Sequence, residues 1–313
     1  MRAWRDAGRW LVALAGLLPL TPTGAGWQAE PVAELALPKT TSAGAPLGGL
    51  SGLVWHAADA RLIAVSDRGR LHHFSLQRDA AGVVQAVVPM ETLPLRDASQ
   101  RQLTGAAADA EDLALLPAAD GAPNLLVAFE RQPRLLRYDL TGRWLGPVEL
   151  PPPFAEAGRY DSGNHQLEAL LATPDGWLAG VERPLRGERQ VALLDARGRR
   201  GGFEPDGSDC GLVALAELPT AAGQPAGLLA LERCFRRWPP AMRLVLRELQ
   251  PDASGDWHDA GVIAQLTHAE IDIDNFEGIA RIGPHDYLLV SDDNFQPVQR
   301  NLLLQIRLTP DDR

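Results

Sequence analysis

Short apolar runs alternate with turn-forming residues along most of the chain. The runs are rich in Val and Leu, are bounded by Gly, Pro or Asp, and lack a sustained 3.6-residue periodicity, so we predict strands and not helices. They come in groups of four: 50–55, 62–66, 71–76 and 83–88; 112–116, 124–130, 134–140 and 144–150; 167–173, 176–182, 190–195 and 201–204; and 211–218, 227–232, 242–249 and 257–266. A fifth group has three runs, 276–282, 286–291 and 301–308, and Pro31–Leu37 offers it a fourth strand.

An acidic residue ends the second run of every group. These residues are Asp67, Glu130, Glu182, Glu232 and Asp292, at successive intervals of 63, 52, 50 and 60 residues. A period of this size with four strands per unit is typical of a β-propeller, in which each repeat forms one blade. We therefore predict an all-β propeller with five blades, or six if the long connections hide another sheet. The N-terminal strand would close the ring by completing the last blade and covering its edge.

The first 25 residues have the pattern of a secretory signal peptide. Arg2, Arg5 and Arg9 precede an apolar stretch and a small-residue cleavage site. The stretch is shorter than the roughly 20 residues of a spanning helix, and an uncleaved membrane anchor is the alternative. We expect residues 26–313 to form one propeller domain that is exported to the periplasm or secreted, is monomeric, and has no stable membrane insertion.

Export would allow the two cysteines to form a disulfide, because an oxidising compartment permits disulfides. Cys210 precedes one apolar run of the fourth group and Cys234 follows the next, so a hairpin would bring them together at its open end. We predict a disulfide there, with two free thiols as the alternative. The formal net charge of −10 argues against a nucleic-acid partner and favours a surface that binds cations.

Pairing the first two runs of a group as an antiparallel hairpin opposes acids at one end of the sheet. Three hairpins do so: Glu111 with Glu130, Glu168 with Glu182, and Glu277 with Asp292. Opposed like charges destabilise a sheet unless something neutralises them. One candidate is a hard cation such as Ca²⁺, which takes oxygen ligands; the other is the set of following arginines, Arg68, Arg131, Arg183 and Arg233. The run Asp292-Asp293-Asn294 has no arginine beside it and is the preferred cation site.

Other catalytic patterns are missing from the sequence. It contains no Gly-x-Ser-x-Gly nucleophile elbow and no His-x-x-x-His pair. Asn164 and His165 directly precede the Glu168 segment, where the imidazole could reach the acids and act in acid–base chemistry.

Several segments together resemble the phytase-like family described as "esterase-like activity of phytase". They are Leu50-Ser51-Gly52-Leu53 with Val65-Ser66-Asp67-Arg68, Asp109-Ala110-Glu111-Asp112-Leu113 with Phe129-Glu130-Arg131, Asn164 with Glu168, and Asn275-Phe276-Glu277-Gly278-Ile279 with Ser291-Asp292-Asp293-Asn294-Phe295 and Gln299. The sequence departs from the family pattern at Gln166 and Asp112, where glycines are expected. The resemblance implies a secreted propeller, hydrolysis of phosphate or carboxylic esters, and calcium.

We therefore expect a calcium-dependent hydrolase of phosphate or other esters, with a small-molecule ester or anionic ligand as its partner. The alternative is a non-catalytic propeller that binds a ligand or protein. The expected catalytic residues are Glu111, Glu168, Glu277 and His165. The expected substrate contacts are Arg68, Arg131, Arg183 and Asn164. The expected cation ligands are Asp67, Glu130, Glu182, Asp292, Asp293 and Asn294.

Overall fold

The structure, a computed structural model, describes residues 26–117, 122–219, 227–238 and 241–311. The predicted signal peptide at 1–25 and two predicted turns, at 118–121 and near Ala222, lie outside these residues. Short 3₁₀ helices lie at Ala57–Asp59, Gly105–Ala107 and Ala157–Arg159. Within the described ranges, no helix is long and apolar enough to cross a membrane.

The strands form five four-stranded antiparallel units. The chain begins with β1 (Trp27–Leu37), and the first blade is β2 (Leu50–His56), β3 (Arg61–Ser66), β4 (Arg70–Arg78) and β5 (Val84–Pro94). The second blade is β6 (Ala110–Leu116), β7 (Asn124–Phe129), β8 (Arg134–Tyr138) and β9 (Trp144–Val148). The third is β10 (Leu167–Thr173), β11 (Gly176–Val181), β12 (Val191–Asp195) and β13 (Gly198–Phe203).

The fourth blade is β14 (Cys210–Leu218), β15 (Gly227–Arg236), β16 (Ala241–Pro251) and β17 (Trp257–Leu266). One parallel bridge between Gly201 and Trp257 joins it to the third blade as a continuous eight-stranded sheet. The fifth blade is β18 (Phe276–Arg281), β19 (Asp286–Ser291) and β20 (Asn301–Pro310), completed by β1, which pairs along the whole of β20. The predicted all-β propeller and its closure by an N-terminal strand are confirmed.

The first strands of the five blades, which we call the inner strands, surround a central channel. These strands are β2, β6, β10, β14 and β18, and each contacts the next around the ring. All five contribute residues to a central cavity of about 160 Å³. Four large clusters of buried apolar side chains each span neighbouring blades, so the hydrophobic core runs around the ring. Because the inner strands run in the same direction, their first residues share one end of the channel.

Cys210 and Cys234 form a disulfide, as predicted. The two residues are cross-strand partners on β14 and β15, and their Cα atoms lie 3.9 Å apart. Both are buried, next to Val245 of β16. The disulfide therefore ties the beginning of the fourth inner strand to its neighbour.

Asp112 connects the inner strands of the second and third blades. Its side chain is only 3% exposed; Oδ1 accepts a hydrogen bond from the backbone N–H of Leu113 at 2.8 Å, and Oδ2 accepts one from Leu170 at 2.7 Å. Burial raises the pKa of this carboxyl well above its usual value, and the two backbone donors act in the opposite direction. The acid at this glycine position of the family pattern is therefore a structural connection between blades.

We expect Asp112→Asn to lower the free energy of unfolding by about 1–3 kcal/mol, because the amide turns one acceptor into a donor that faces a backbone N–H. Urea denaturation of both proteins measures the loss. Asp175→Asn is the matched control, since the Asp175 side chain is 85% exposed and the substitution should change stability by no more than about 0.5 kcal/mol. Equal effects of the two substitutions would contradict the connecting role of Asp112.

Candidate functional site

A bulge near the start of the inner strand presents a polar residue in four of the five blades. The pairing register with the second strand skips one residue in each case: Ser51, Glu111, Glu168 and Glu277. A β-bulge leaves the extra residue out of the ladder and redirects its side chain. The bulges therefore place three glutamates and a serine at the same end of the channel.

The acids after the second strands are held beside these bulges by a repeated backbone hydrogen bond. The N–H of Asp67, Glu130, Glu182 and Asp292 donates to the carbonyl of Gly49, Asp109, Gln166 and Asn275, respectively, at 2.8–3.0 Å. Two layers of carboxylates therefore meet at one end of the channel. We call this group the acid ring: Asp67, Asp109, Glu111, Glu130, Glu168, Glu182, Glu277 and Asp292.

The tightest cluster in the acid ring lies in the second blade. One oxygen from each of Asp109, Glu111 and Glu130 lies within 4.8 Å of the others. Glu130 is 6% exposed, and its Oε1 is buried with no hydrogen-bond partner among the described residues. Glu168 of the next blade shares a hydrogen bond with the Glu130 carboxyl. Three carboxyl groups therefore surround a buried oxygen that has no donor among the described residues.

The crowding of these carboxyls shifts their proton affinities. Burial, reinforced by the neighbouring carboxylates, raises the pKa of Glu111 and Glu168 well above the usual value. Burial and the charge of Asp109 raise the pKa of Glu130 to about 7. Burial is also the main cause that raises the pKa of Asp67 to about 6 and that of Asp292 to about 8. Several of these groups therefore exchange protons near neutral pH.

The fourth blade breaks the pattern. Its bulge residue is Val213, with Leu212 paired to Glu232 and Gly211 to Arg233. Counted from the bulge, Arg233 therefore stands where the other blades have Asp67, Glu130, Glu182 and Asp292. Glu232 is fully buried and accepts a hydrogen bond from Nε of Arg247 at 2.8 Å. Glu232, the acid that the repeat predicts at the ring, is therefore paired with Arg247 inside the blade, and Arg233 lies at the acid ring in its place.

Arg233 bonds with acids of the two blades that flank its own. Its Nη1 donates to Asn275 Oδ1 at 2.7 Å and to Glu277, and its Nη2 lies 3.7 Å from Oε1 of Glu182. Burial of the guanidinium lowers its pKa, but the charges of Glu277, Glu182 and Glu168 outweigh that effect and raise it overall. This side of the acid ring therefore carries its own cation.

The three arginines predicted to contact a substrate already have partners in the protein. The guanidinium of Arg68 lies 3.4 Å from the centre of the Phe295 ring. Arg131 pairs with Asp109 and is about half exposed. Arg183 donates to the carbonyls of Ser208 at 3.0 Å and Cys210 at 2.7 Å. All three surround the acid ring. The predicted alternative, arginines that pair with acids, describes Arg131, Arg183, which lies 3.7 Å from Glu182, and Arg233.

The structure places His165 beside the acid ring. Its Nε2 lies 3.9 Å from Oε2 of Glu182, and its Nδ1 lies 3.4 Å from Asp161. His165 also lines a cleft of about 750 Å³ between the third and fourth blades, together with Arg183 and the half-exposed Phe235. Asn164 is exposed next to it. The cleft gives a small molecule access to the edge of the ring.

The Asp292-Asp293-Asn294 segment divides its oxygens between the ring and its own loop. Oδ1 of Asp293 accepts backbone hydrogen bonds from Gly49 and Phe295, both at 3.1 Å, and Oδ2 lies 3.3 Å from Nζ of Lys39. Asn294 is exposed. In this segment, burial and then the charges of Glu277 and Asp67 raise the pKa of the Asp292 carboxyl. Lys39 is far from Asp293 in the sequence, so the sequence did not predict this ion pair.

Asp109 is a member of the cluster to which the sequence assigned no role. It lies immediately before the inner strand, and the corresponding residues of two other blades, Gly49 and Gln166, have no carboxylate. The repeat therefore gave no signal for it. The only sequence signal was the presence of Asp109 in the segment that resembles the phytase-like family.

Two solved structures similar to this chain are a PQQ-bound aldose sugar dehydrogenase from Streptomyces coelicolor and the Dos1 propeller. The first has 10% sequence identity and a TM-score of 0.45 and covers 89% of this chain and 100% of its own. The second has 15% identity and a TM-score of 0.34 and covers 87% of this chain and 58% of its own. No curated protein matches the sequence. The sequence profile of the phytase-like family, described as "Esterase-like activity of phytase", matches residues 45–295. The chain therefore belongs to the phytase-like family.

Proposed function

We propose that this protein is an exported, calcium-dependent hydrolase of phosphate or other esters. The observation that carries the proposal is the buried Glu130 oxygen, which has no donor among the described residues and lies in a cluster with Asp109 and Glu111. A buried carboxylate oxygen without a partner costs free energy unless a cation contacts it. Membership of the phytase-like family supports a role in ester chemistry.

The donors in the cluster fit calcium. All are carboxylate oxygens, which hard cations prefer, and Ca²⁺ tolerates the irregular geometry that side chains from several strands offer. Asp109, Glu111 and Glu130 would hold the ion, with Glu168 beside them. When bound, calcium supplies Lewis-acid polarisation of an ester oxygen and lowers the pKa of a water molecule.

The chain itself supplies proton transfer and positioning. Glu168 lies beside the cluster and shares a hydrogen bond with the Glu130 carboxyl. With a cation bound there, Glu168 would lose the proton that its raised pKa retains, and its carboxylate could then accept a proton from the attacking water. Arg233 holds the Glu277 carboxylate in place. His165 faces Glu182 from the cleft, where its imidazole can give a proton to the leaving-group oxygen of a bound ester. The cleft of about 750 Å³ is large enough for a small ester beside these groups.

The alternative is a non-catalytic propeller that binds a ligand or a protein on the same face. The engagement of Arg68, Arg131 and Arg183 with protein partners favours it, because none of the three is left free for an anionic substrate. Export is part of either proposal. The Cys210–Cys234 disulfide supports it, since disulfides persist in oxidising compartments.

We expect calcium to stabilise the chelator-treated protein, and Glu130→Gln to abolish this effect because it removes one ligand charge from the cluster. At a calcium concentration about 100 times the Kd, the gain in stability is about 2.7 kcal/mol. Thermal unfolding with and without CaCl₂ measures it. Glu217→Gln is the control, since Glu217 lies at the other end of its inner strand with a side chain 59% exposed. A full calcium response in Glu130→Gln would rule out this cluster as the site.

Without calcium, we expect stability to fall as the pH rises from about 4.5 to about 8. The raised pKa values of Glu130, Asp67 and Asp292, about 7, 6 and 8, mean that the folded state binds more protons than the unfolded chain in this range. Stability is lost as these protons dissociate. Calcium competes with the protons, so its stabilising effect should be larger at pH 8 than at pH 5. Urea denaturation in EDTA and in CaCl₂ tests both; stability that rises with pH in EDTA would contradict the shifts.

We expect the purified protein to hydrolyse at least one member of a panel of phosphate and carboxylic esters, and only when calcium is present. Glu168→Gln should lower kcat by about 10²–10⁴-fold, the usual contribution of a general base. The variant should retain the calcium-dependent stabilisation, which separates loss of proton transfer from loss of the ion. Glu217→Gln should keep full activity. Calcium binding without turnover of any ester would favour the non-catalytic alternative.

A further inference from the structure

The fourth blade contributes a positive charge where the other blades contribute negative ones. We propose that Arg233 is a built-in cation that takes the place of a second metal ion in the acid ring. The intact protein then binds one divalent cation, and removal of the guanidinium opens a second site bounded by Glu182, Asn275 and Glu277. The position of the first ion at Asp109, Glu111 and Glu130 rests on the proposed function, whereas the second position rests on the contacts of Arg233 alone.

The contacts of Arg233 are those of a shared cation. Its guanidinium contacts the Glu277 carboxylate and the Asn275 side-chain oxygen of the fifth blade, and it lies 3.7 Å from the Glu182 carboxylate of the third. The Asn275 amide nitrogen donates to the same Glu277 carboxylate at 2.7 Å, which fixes the amide oxygen toward the arginine. Three oxygen-bearing side chains from two blades therefore converge on one positive group. Carboxylate and amide oxygens are also ligands that calcium accepts.

The strand register explains why an arginine occupies this position. Successive residues of a strand point to opposite faces, so a shift in register exchanges the residue at the ring. Counted from the bulge at Val213, Arg233 occupies the position of the acids in the other blades and points to the acid ring, while the preceding residue, Glu232, points to Arg247. Arg68 and Arg131, which follow the acids of the first and second blades, are exposed. The fourth blade therefore has a cation at the register position where the other blades have an acid.

Gly211 completes this arrangement. A Cβ atom at this position would lie 2.8 Å from both Cγ and Oε1 of Glu182, closer than real Cβ contacts allow. The fourth inner strand thus has no space for an acid of its own at this point, and Glu182 occupies that space within reach of Arg233. The fourth blade therefore lacks an acid at Gly211 and has a positive charge at Arg233, and both differences reduce the negative charge on this side of the acid ring.

The test is the number of calcium ions bound by the full-length protein after chelator treatment, measured by isothermal titration and by metal analysis after gel filtration. We expect Arg233→Met to bind one more ion per chain than the wild type, and Arg233→Lys, which keeps the charge, to bind the same number as the wild type. In the absence of calcium, Arg233→Met should have a lower melting temperature, and calcium should restore more of it than in the wild type. An unchanged ion count in folded Arg233→Met would overturn the proposal.

Two further variants keep the test decisive. Arg233→Gln offers an oxygen ligand of its own and should also gain an ion; if neither the Met nor the Gln variant folds even in calcium, the proposal is wrong. In Glu130→Gln/Arg233→Met, the first site is removed and one ion should remain. If the wild type binds no calcium but Arg233→Met binds one, the proposed function fails and the assignment of Arg233 stands. If the wild type binds one ion and Arg233→Met also binds one, the calcium site of the proposed function stands and the assignment of Arg233 fails.

Discussion

Repulsion between carboxylates at one end of the channel is the constraint on which the rest of this structure depends. Four of the five blades bring acids to the same small volume, and burial raises their pKa values further. Such a concentration of like charge is unfavourable unless cations offset it. The fold offsets one side with Arg233, which contacts Glu277 and Glu182. On the other side, Glu130 keeps a buried oxygen without a partner among the described residues.

The propeller brings the charges together because its blades repeat one local geometry. Each inner strand begins at the same end of the channel, and in four blades the second strand returns its acid to that end by a hydrogen bond to the residue before the inner strand. The bulge then turns Glu111, Glu168 and Glu277 out of the strand ladder. Buried connections such as Asp112, which accepts a hydrogen bond from Leu170 of the next blade, keep the blades in register while the charges repel.

The repeat period and the turn pattern were sufficient to predict the propeller and the strand that closes it, because both depend on hydrophobic periodicity, which a single sequence displays. The acid ring followed from the recurrence of acids at the strand ends. The bulges did not follow, since one extra residue in a strand has no compositional signal. For that reason the sequence gives Glu232 the same place as Glu130, although the bulge at Val213 gives that place to Arg233 and leaves Glu232 facing Arg247. Lys39 reaches Asp293 across 254 residues, a contact that only the closed ring creates.

The two ways of balancing the acid ring have different consequences. A guanidinium is charged at every accessible pH and is covalently attached, so Arg233 neutralises its side of the ring under all conditions. A bound ion depends on the pH and on the concentration outside the protein, because protons compete for the same oxygens. A ring with two resident arginines would be more stable but would have no site for an exchangeable ion. A ring with two exchangeable ions would lose more stability whenever calcium fell. Under the two proposals, one fixed and one exchangeable cation would keep the propeller folded and leave the reaction under the control of calcium.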